Sequence, residues 1–173
     1  MSGLRPFVVV LVANAVLLLL VREANFYLNP LGLTLFPAGL LVVFAAWHLP
    51  VGTGMAAVLL TGLLWGARLP VPLGLMPLFL GLAHGLLFHL RRRVRSRDPL
   101  TAAWAAAGAN ALLLLGWTVV LWPGEGLAAY TLRFLGDLLL SEALVFPAAY
   151  WFVSLQESVL HRWRPAPPAE EEG

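Results

Sequence analysis

Apolar residues in this chain do not alternate with polar ones; they run together in long blocks. Six blocks can be marked, over 6–21, 31–49, 51–67, 71–90, 100–122 and 138–155. Arg22 and Glu23 close the first, Arg68 stops the third, and the second contains Pro37. Each block is 16 to 23 residues long. A helix rises ~1.5 Å per residue, so about 20 residues match the ~30 Å hydrocarbon core of a bilayer. The pattern therefore predicts an all-α fold, a polytopic bundle of six transmembrane helices with membrane lipid as its solvent. Nothing between the blocks is long enough for a soluble domain. Residues 1–164 read as one six-helix transmembrane domain, and the Pro- and Glu-rich tail at 165–173 is expected to be disordered and cytoplasmic.

Charge orients the bundle. Hydrophobic residues make up 60% of the 173 and charged residues 12%, yet Arg91, Arg92, Arg93, Arg95 and Arg97 crowd into one link. A guanidinium at the bilayer centre costs roughly 2.5–3.5 kcal/mol on insertion scales, so this link must be aqueous. The positive-inside rule puts it in the cytoplasm, and alternation then puts both termini there as well. Arg5, Arg162 and Arg164 join the five of the link on that side, leaving Arg22, Arg68 and Arg133 outside. The calculated pI near 9.7 accompanies a formal net charge of only +2, and topology accounts for that basicity better than a nucleic-acid partner does. There is no cysteine, which excludes disulfides, thiolate chemistry and cysteine-based metal sites. No small-residue cleavage site follows the first block, so it is expected to be retained as a helix.

Candidate chemistry is sparse. The third block carries Thr53, Ala57 and Thr61 at four-residue spacing, with Gly54, Gly62 and Gly66 beside them, and the fourth carries Gly81 and Gly85. Small residues let helix backbones approach closely in lipid, either within the bundle or against a partner's transmembrane helix. His84 and His89 are five apart and so lie on different helix faces; no metalloprotease-type histidine motif accompanies them, and His84 reads as a polar packing residue. No nucleophile elbow and no phosphate-binding loop is present, so no catalytic residue, metal or cofactor is expected. Arg133 and Asp137 are four apart and can pair at the outer interface. Glu142 lies a turn deeper, beside Ser141, and must face the bundle or a partner; Asn110 and His84 are its candidate neighbours. Structural glue and a functional role are both open for it. Pro147 is expected to kink the last helix and free a carbonyl.

Several of these segments resemble the MreD family of rod shape-determining membrane proteins. Pro37-Ala-Gly-Leu-Leu-Val-Val-Phe-Ala-Ala-Trp47 resembles the family's second span, and Leu49-Pro50-Val51-Gly52-Thr53-Gly54 leading to Gly62-Leu63-Leu64 its third. Pro72-Leu73-Gly74 resembles the turn into the fourth, and Leu144-Val145-Phe146-Pro147 the last span. The likeness covers roughly residues 5–164 and departs at Gly66, near which family members often carry an Asp. It implies a non-enzymatic scaffold of the bacterial inner membrane that binds MreC, a bitopic protein, and acts with MreB filaments, RodA and a penicillin-binding transpeptidase in cell shape and lateral peptidoglycan synthesis. The family's fold is similar to that of the substrate-binding subunits of energy-coupling-factor transporters. A small-molecule-binding subunit of such a transporter is therefore the alternative, though the outer half offers few polar groups for it: Asn25, Asn29, Arg133 and Asp137.

Overall fold

The computed structural model describes residues 4–91, 99–121 and 127–162. They form an all-helical bundle: α1 (Leu4–Leu28), α2 (Ala38–His48), α3 (Val51–Gly66), α4 (Leu75–Leu90), α5 (Pro99–Val120) and α6 (Leu127–Arg162), with a 3-10 turn at Asn29–Leu31. The stretches Leu4–Leu31, Leu100–Val120 and Tyr130–Leu160 are each long and apolar enough to cross a membrane; α2, α3 and α4 are shorter apolar helices. Large apolar side chains are also exposed in rows, such as Val8, Val12, Val16 and Leu19 along α1. A water-soluble monomer of this size rarely exposes so much contiguous apolar surface, whereas lipid solvates it.

Helix boundaries depart most from the apolar blocks in three helices. α1 continues past Arg22 and Glu23 to Leu28, because both are good helix formers and their side chains are exposed. α6 starts eleven residues before the apolar block and has 36 residues, a rod of ~54 Å. The mixed stretch 127–137, for which the sequence allows either an interfacial segment or an outward extension of the sixth helix, extends that helix. Gly136 and Asp137 do not break it, and it runs through Pro147, whose side chain is exposed. Proline lacks the N–H that would bond the Ala143 carbonyl one turn back.

The third departure is the important one. The block at 31–49 is not one long helix: α2 has only 11 residues, ~16 Å, and begins after Pro37. Gly32 closes the 3-10 turn with φ 73°, donating its N–H to the Asn29 carbonyl at 2.9 Å. Proline disfavours the helical region for the residue before it, so Phe36 and its neighbours stay out of the helix and 33–37 runs as an irregular lead-in. At the other end Pro50 does the same to Leu49, which is extended with φ −99° and ψ 155°, and α3 starts at once.

The short helix is the centre of the molecule. Every residue from Ala38 to Ala46 is buried, and α2 touches all five other helices. Leu41, Phe44, Met76, Leu80, Val10 and Val58 are among the largest fully buried side chains of the core. α5 crosses it so closely that a Cβ on Gly39 would collide with the Ala106 carbonyl and come within 2.9 Å of Asn110 Cβ. α3 pairs most extensively with α4, and α5 with α6.

Candidate functional site

A non-helical segment inside an apolar bundle has backbone N–H groups with no helical partner, and leaving each unpaired costs about 1–3 kcal/mol. The lead-in to α2 meets this need with side chains. The Thr34 N–H donates to Asp137 Oδ1 at 2.6 Å, and the Phe36 N–H to Ser141 Oγ at 3.0 Å. Between them the Leu35 N–H donates to Asn25 Oδ1 at 2.6 Å, while Asn25 Nδ2 donates back to the Leu35 carbonyl at 3.0 Å. The Gly39 N–H, in the first turn of α2, donates to Asn110 Oδ1 at 3.1 Å. Asn110 Nδ2 then donates to Glu142 Oε1 at 3.0 Å.

The spacing explains why these residues serve. Residues two apart on near-extended chain are ~6.5 Å apart and present N–H groups on one side. Residues four apart on a helix rise ~6 Å and share a face. Asp137 and Ser141 on α6 thus match Thr34 and Phe36, while Leu35, pointing the other way, is met by Asn25 on α1. Asn25 copies one rung of a β-ladder with its amide.

Glu142 is half-buried and bonded to Asn110. His84, its other candidate neighbour, shares no hydrogen bond with this cluster. It is fully buried, with Nε2 2.5 Å from where a Gly54 Cβ would sit and its ring stacked 6.1 Å from Phe88. Neither of its ring nitrogens makes a hydrogen bond of good geometry among the described residues, and the group facing the ring is the Ala45 carbonyl. Arg133 and Asp137 approach to 3.9 Å, with the Arg133 side chain 59% exposed and that of Asp137 14% exposed.

The glycines divide. A Cβ on Gly62 would stand 2.6 Å from Pro77 Cα, one on Gly66 3.1 Å from the Leu73 carbonyl oxygen, and one on Gly81 3.1 Å from Leu59 Cδ2. With Gly54 against His84, these four line the α3–α4 contact. Gly85 does not belong with them: a Cβ there would meet nothing within 4 Å. Four-residue spacing puts Gly81 and Gly85 on one stripe, but the neighbouring helix touches only part of it.

Arg91 also differs from the expectation of a solvated loop residue. It follows α4 directly, and its Nη1 donates to the carbonyls of Ala46 at 2.8 Å, Trp47 at 3.1 Å and Leu49 at 3.2 Å, closing the C-terminal end of α2. Its guanidinium lies 3.9 Å from the Phe88 ring centroid. Arg92, Arg93, Arg95 and Arg97 lie outside the described residues, as does the tail at 165–173.

Two buried polar residues escaped the sequence reading. Asn14, isolated in the first apolar block, donates to the Leu41 carbonyl at 3.0 Å and to Thr61 Oγ1 at 3.1 Å, tying α1 to α2 and α3. The Thr61 hydroxyl in turn donates a hydrogen bond to the Ala57 carbonyl at 2.9 Å. Gln156, 1% exposed, has neither amide atom bonded among the described residues. For Asn14 the available signal was a lone amide among apolar residues; Gln156, flanked by Ser154, Glu157 and Ser158, carried no such signal.

The described residues outline two notable concavities. One, of about 280 Å³, lies between the α2 lead-in and the facing ends of α5 and α6, lined among others by Thr34, Phe36, Trp117, Tyr130, Arg133 and Asp137. The other, of about 350 Å³, is an apolar groove between α4 and α5, walled by Phe79, Leu82, Leu86, Trp104 and Leu112, with Gly108 opening into it. Among the described residues no three His, Asp or Glu side chains are grouped to hold a metal ion. Comparison of the chain with protein-family models, curated proteins and solved structures finds no match.

Proposed function

We propose that this chain is a non-enzymatic, multi-pass scaffold of the bacterial inner membrane that docks the transmembrane helix of a bitopic, MreC-like partner, as its resemblance to the MreD family implies. In this reading it crosses the bilayer six times, α2 and its lead-in making one crossing together, with both termini and the 91–97 link in the cytoplasm. Through the partner it joins RodA and a penicillin-binding transpeptidase in shaping the cell and directing lateral wall synthesis.

The observation that carries the docking mode is the α4–α5 groove. Its walls are apolar along their whole length, and Ala83, Ala105, Gly108 and Ala109 give it small-residue patches. Helix association in lipid depends on such close backbone approach, since there is little hydrophobic drive between helices. The intramembrane polar side chains support the same reading from the other direction. Asn14, Asn25, Asn110, Asp137 and Ser141 each bond backbone groups or neighbouring helices. They hold the scaffold's shape.

Gly108 supplies the test, because the fold itself leaves room there for a side chain. Gly108→Leu should preserve expression and melting temperature yet fill the groove. Co-purification with the bitopic partner in mild detergent and rescue of rod shape in a deletion strain should both fail for Gly108→Leu. Full rescue and undiminished co-purification would remove the groove from the account. A deletion strain of normal shape would remove the function.

A further inference from the structure

The concavity of about 280 Å³ beside the α2 lead-in is not used by the scaffold reading, and its lining is chemically specific. Phe36, Trp117, Tyr130 and Phe134 give it aromatic walls. Arg133 and Asp137 set a cation and an anion side by side at 3.9 Å, too far apart for a hydrogen bond between them. Asp137 spends Oδ1 on the Thr34 N–H, which leaves Oδ2 as the acceptor facing the guanidinium. Thr118 and Tyr130 have their hydroxyl protons engaged, Thr118 with the Leu114 carbonyl at 2.7 Å and Tyr130 with the Thr118 carbonyl at 3.0 Å. Among the described residues, the charged edge of the cavity is thus the Arg133 guanidinium next to the Asp137 carboxylate, with the hydroxyl oxygens of Thr34, Thr118 and Tyr130 as further polar groups in the lining.

From this arrangement we infer that the cavity binds a small planar solute of the cyclic amide or ureide class, its ring lying among the aromatic walls and its C=O and N–H edge bridging Arg133 and Asp137. A simple anion would face the Asp137 carboxylate and a simple cation the guanidinium. A lactam edge, with acceptor and donor adjacent, satisfies both. Aromatic walls suit a flat ring, and the volume, just below the ~300–1,000 Å³ of common ligand pockets, restricts the occupant to about one ring system. The site needs no partner protein, so its failure leaves the docking function standing.

Uracil is a suitable probe because it is water-soluble and presents this edge, and 1,3-dimethyluracil is its matched control without N–H donors. Saturation-transfer NMR on the protein in lipid nanodiscs should detect uracil, with 1,3-dimethyluracil at least about tenfold weaker, the equivalent of one hydrogen bond to a charged group. Arg133→Ala, at an exposed position, should lose uracil binding by a similar factor, with the melting temperature reporting that the fold is intact. Trp117→Leu should weaken both compounds, and Trp104→Leu, in the other groove, neither. Equal affinity for the two compounds, no saturation of uracil, or binding unchanged by Arg133→Ala would each overturn the inference. Should Arg133→Ala not fold, the comparison of the two compounds on the unsubstituted chain decides alone.

Discussion

Asn110 joins two elements that no other described side chain joins, the first turn of α2 and Glu142 on α6. Replacing it by Leu keeps the number and branching of its side-chain heavy atoms and removes both bonds. The Gly39 N–H, buried against α5, loses its acceptor, and Glu142 Oε1 loses its donor. Orphaning a buried polar group costs about 1–3 kcal/mol, while measured interhelical hydrogen bonds in membrane proteins average ~0.6 and reach ~1.7 kcal/mol. Two bonds together set the expected loss for Asn110→Leu at ~1–3 kcal/mol. Glu142→Leu breaks only the second bond and should cost ~0.6–1.7 kcal/mol, and Glu142→Gln close to nothing, since its amide oxygen still accepts from Asn110. Unfolding in mixed detergent micelles, followed by circular dichroism, measures each variant and the double mutant. The cycle should return a coupling of ~0.6–1.7 kcal/mol between the two sites, with Asn110→Leu the costlier single change. If Glu142→Leu proved as damaging as Asn110→Leu, or the two were additive, the chain of bonds from Gly39 through Asn110 to Glu142 would not be what holds α2 in place.

Three other outcomes test separate parts of the account. Gly62→Leu must displace the Pro77 backbone and should lower the melting temperature sharply, while Gly85→Leu, facing open space, should leave it unchanged; overpacking of this kind costs about 1–3 kcal/mol. Arg91→Leu strips three carbonyls at the end of α2 of one shared donor and should destabilise the bundle more than Arg68→Leu, read by thermal melting in detergent. Reporter fusions after Arg97 and after Arg164 should both report cytoplasm, and a periplasmic signal at either would overturn the six-crossing topology.

The number and rough position of the helices were legible because apolar blocks of this length match the thickness of a bilayer and little else. The break in the second block was written there too, in Asn29-Pro30, Gly32 and Pro37, but hydropathy averages over turn signals and reports one continuous run. Asn110 and Glu142 stood out as polar residues in apolar surroundings, and the structure bonds them to each other. Their deeper purpose did not stand out, because a need for side-chain acceptors appears only once the backbone at 33–37 is seen to be non-helical. Asn14 could have been found by the same rule. Arg91 could not, since its three acceptors are carbonyls more than forty residues away, and a cluster of arginines reads as topology regardless of what one member touches. Glycine spacing identified a small-residue stripe but not its extent, which is why Gly62 and Gly85 looked alike in sequence and differ in surroundings.

Whether a partner's transmembrane helix lies in the α4–α5 groove is decided by crosslinking in living cells. A photoreactive phenylalanine analogue placed singly at Leu86 and at Leu112 faces that groove, and the same analogue at Val12 on α1 and Leu132 on α6 faces away from it. In cells carrying the bitopic partner, irradiation should produce a covalent adduct from Leu86 and Leu112 and none from Val12 or Leu132. Adducts from Val12 or Leu132 with none from the groove would contradict the account.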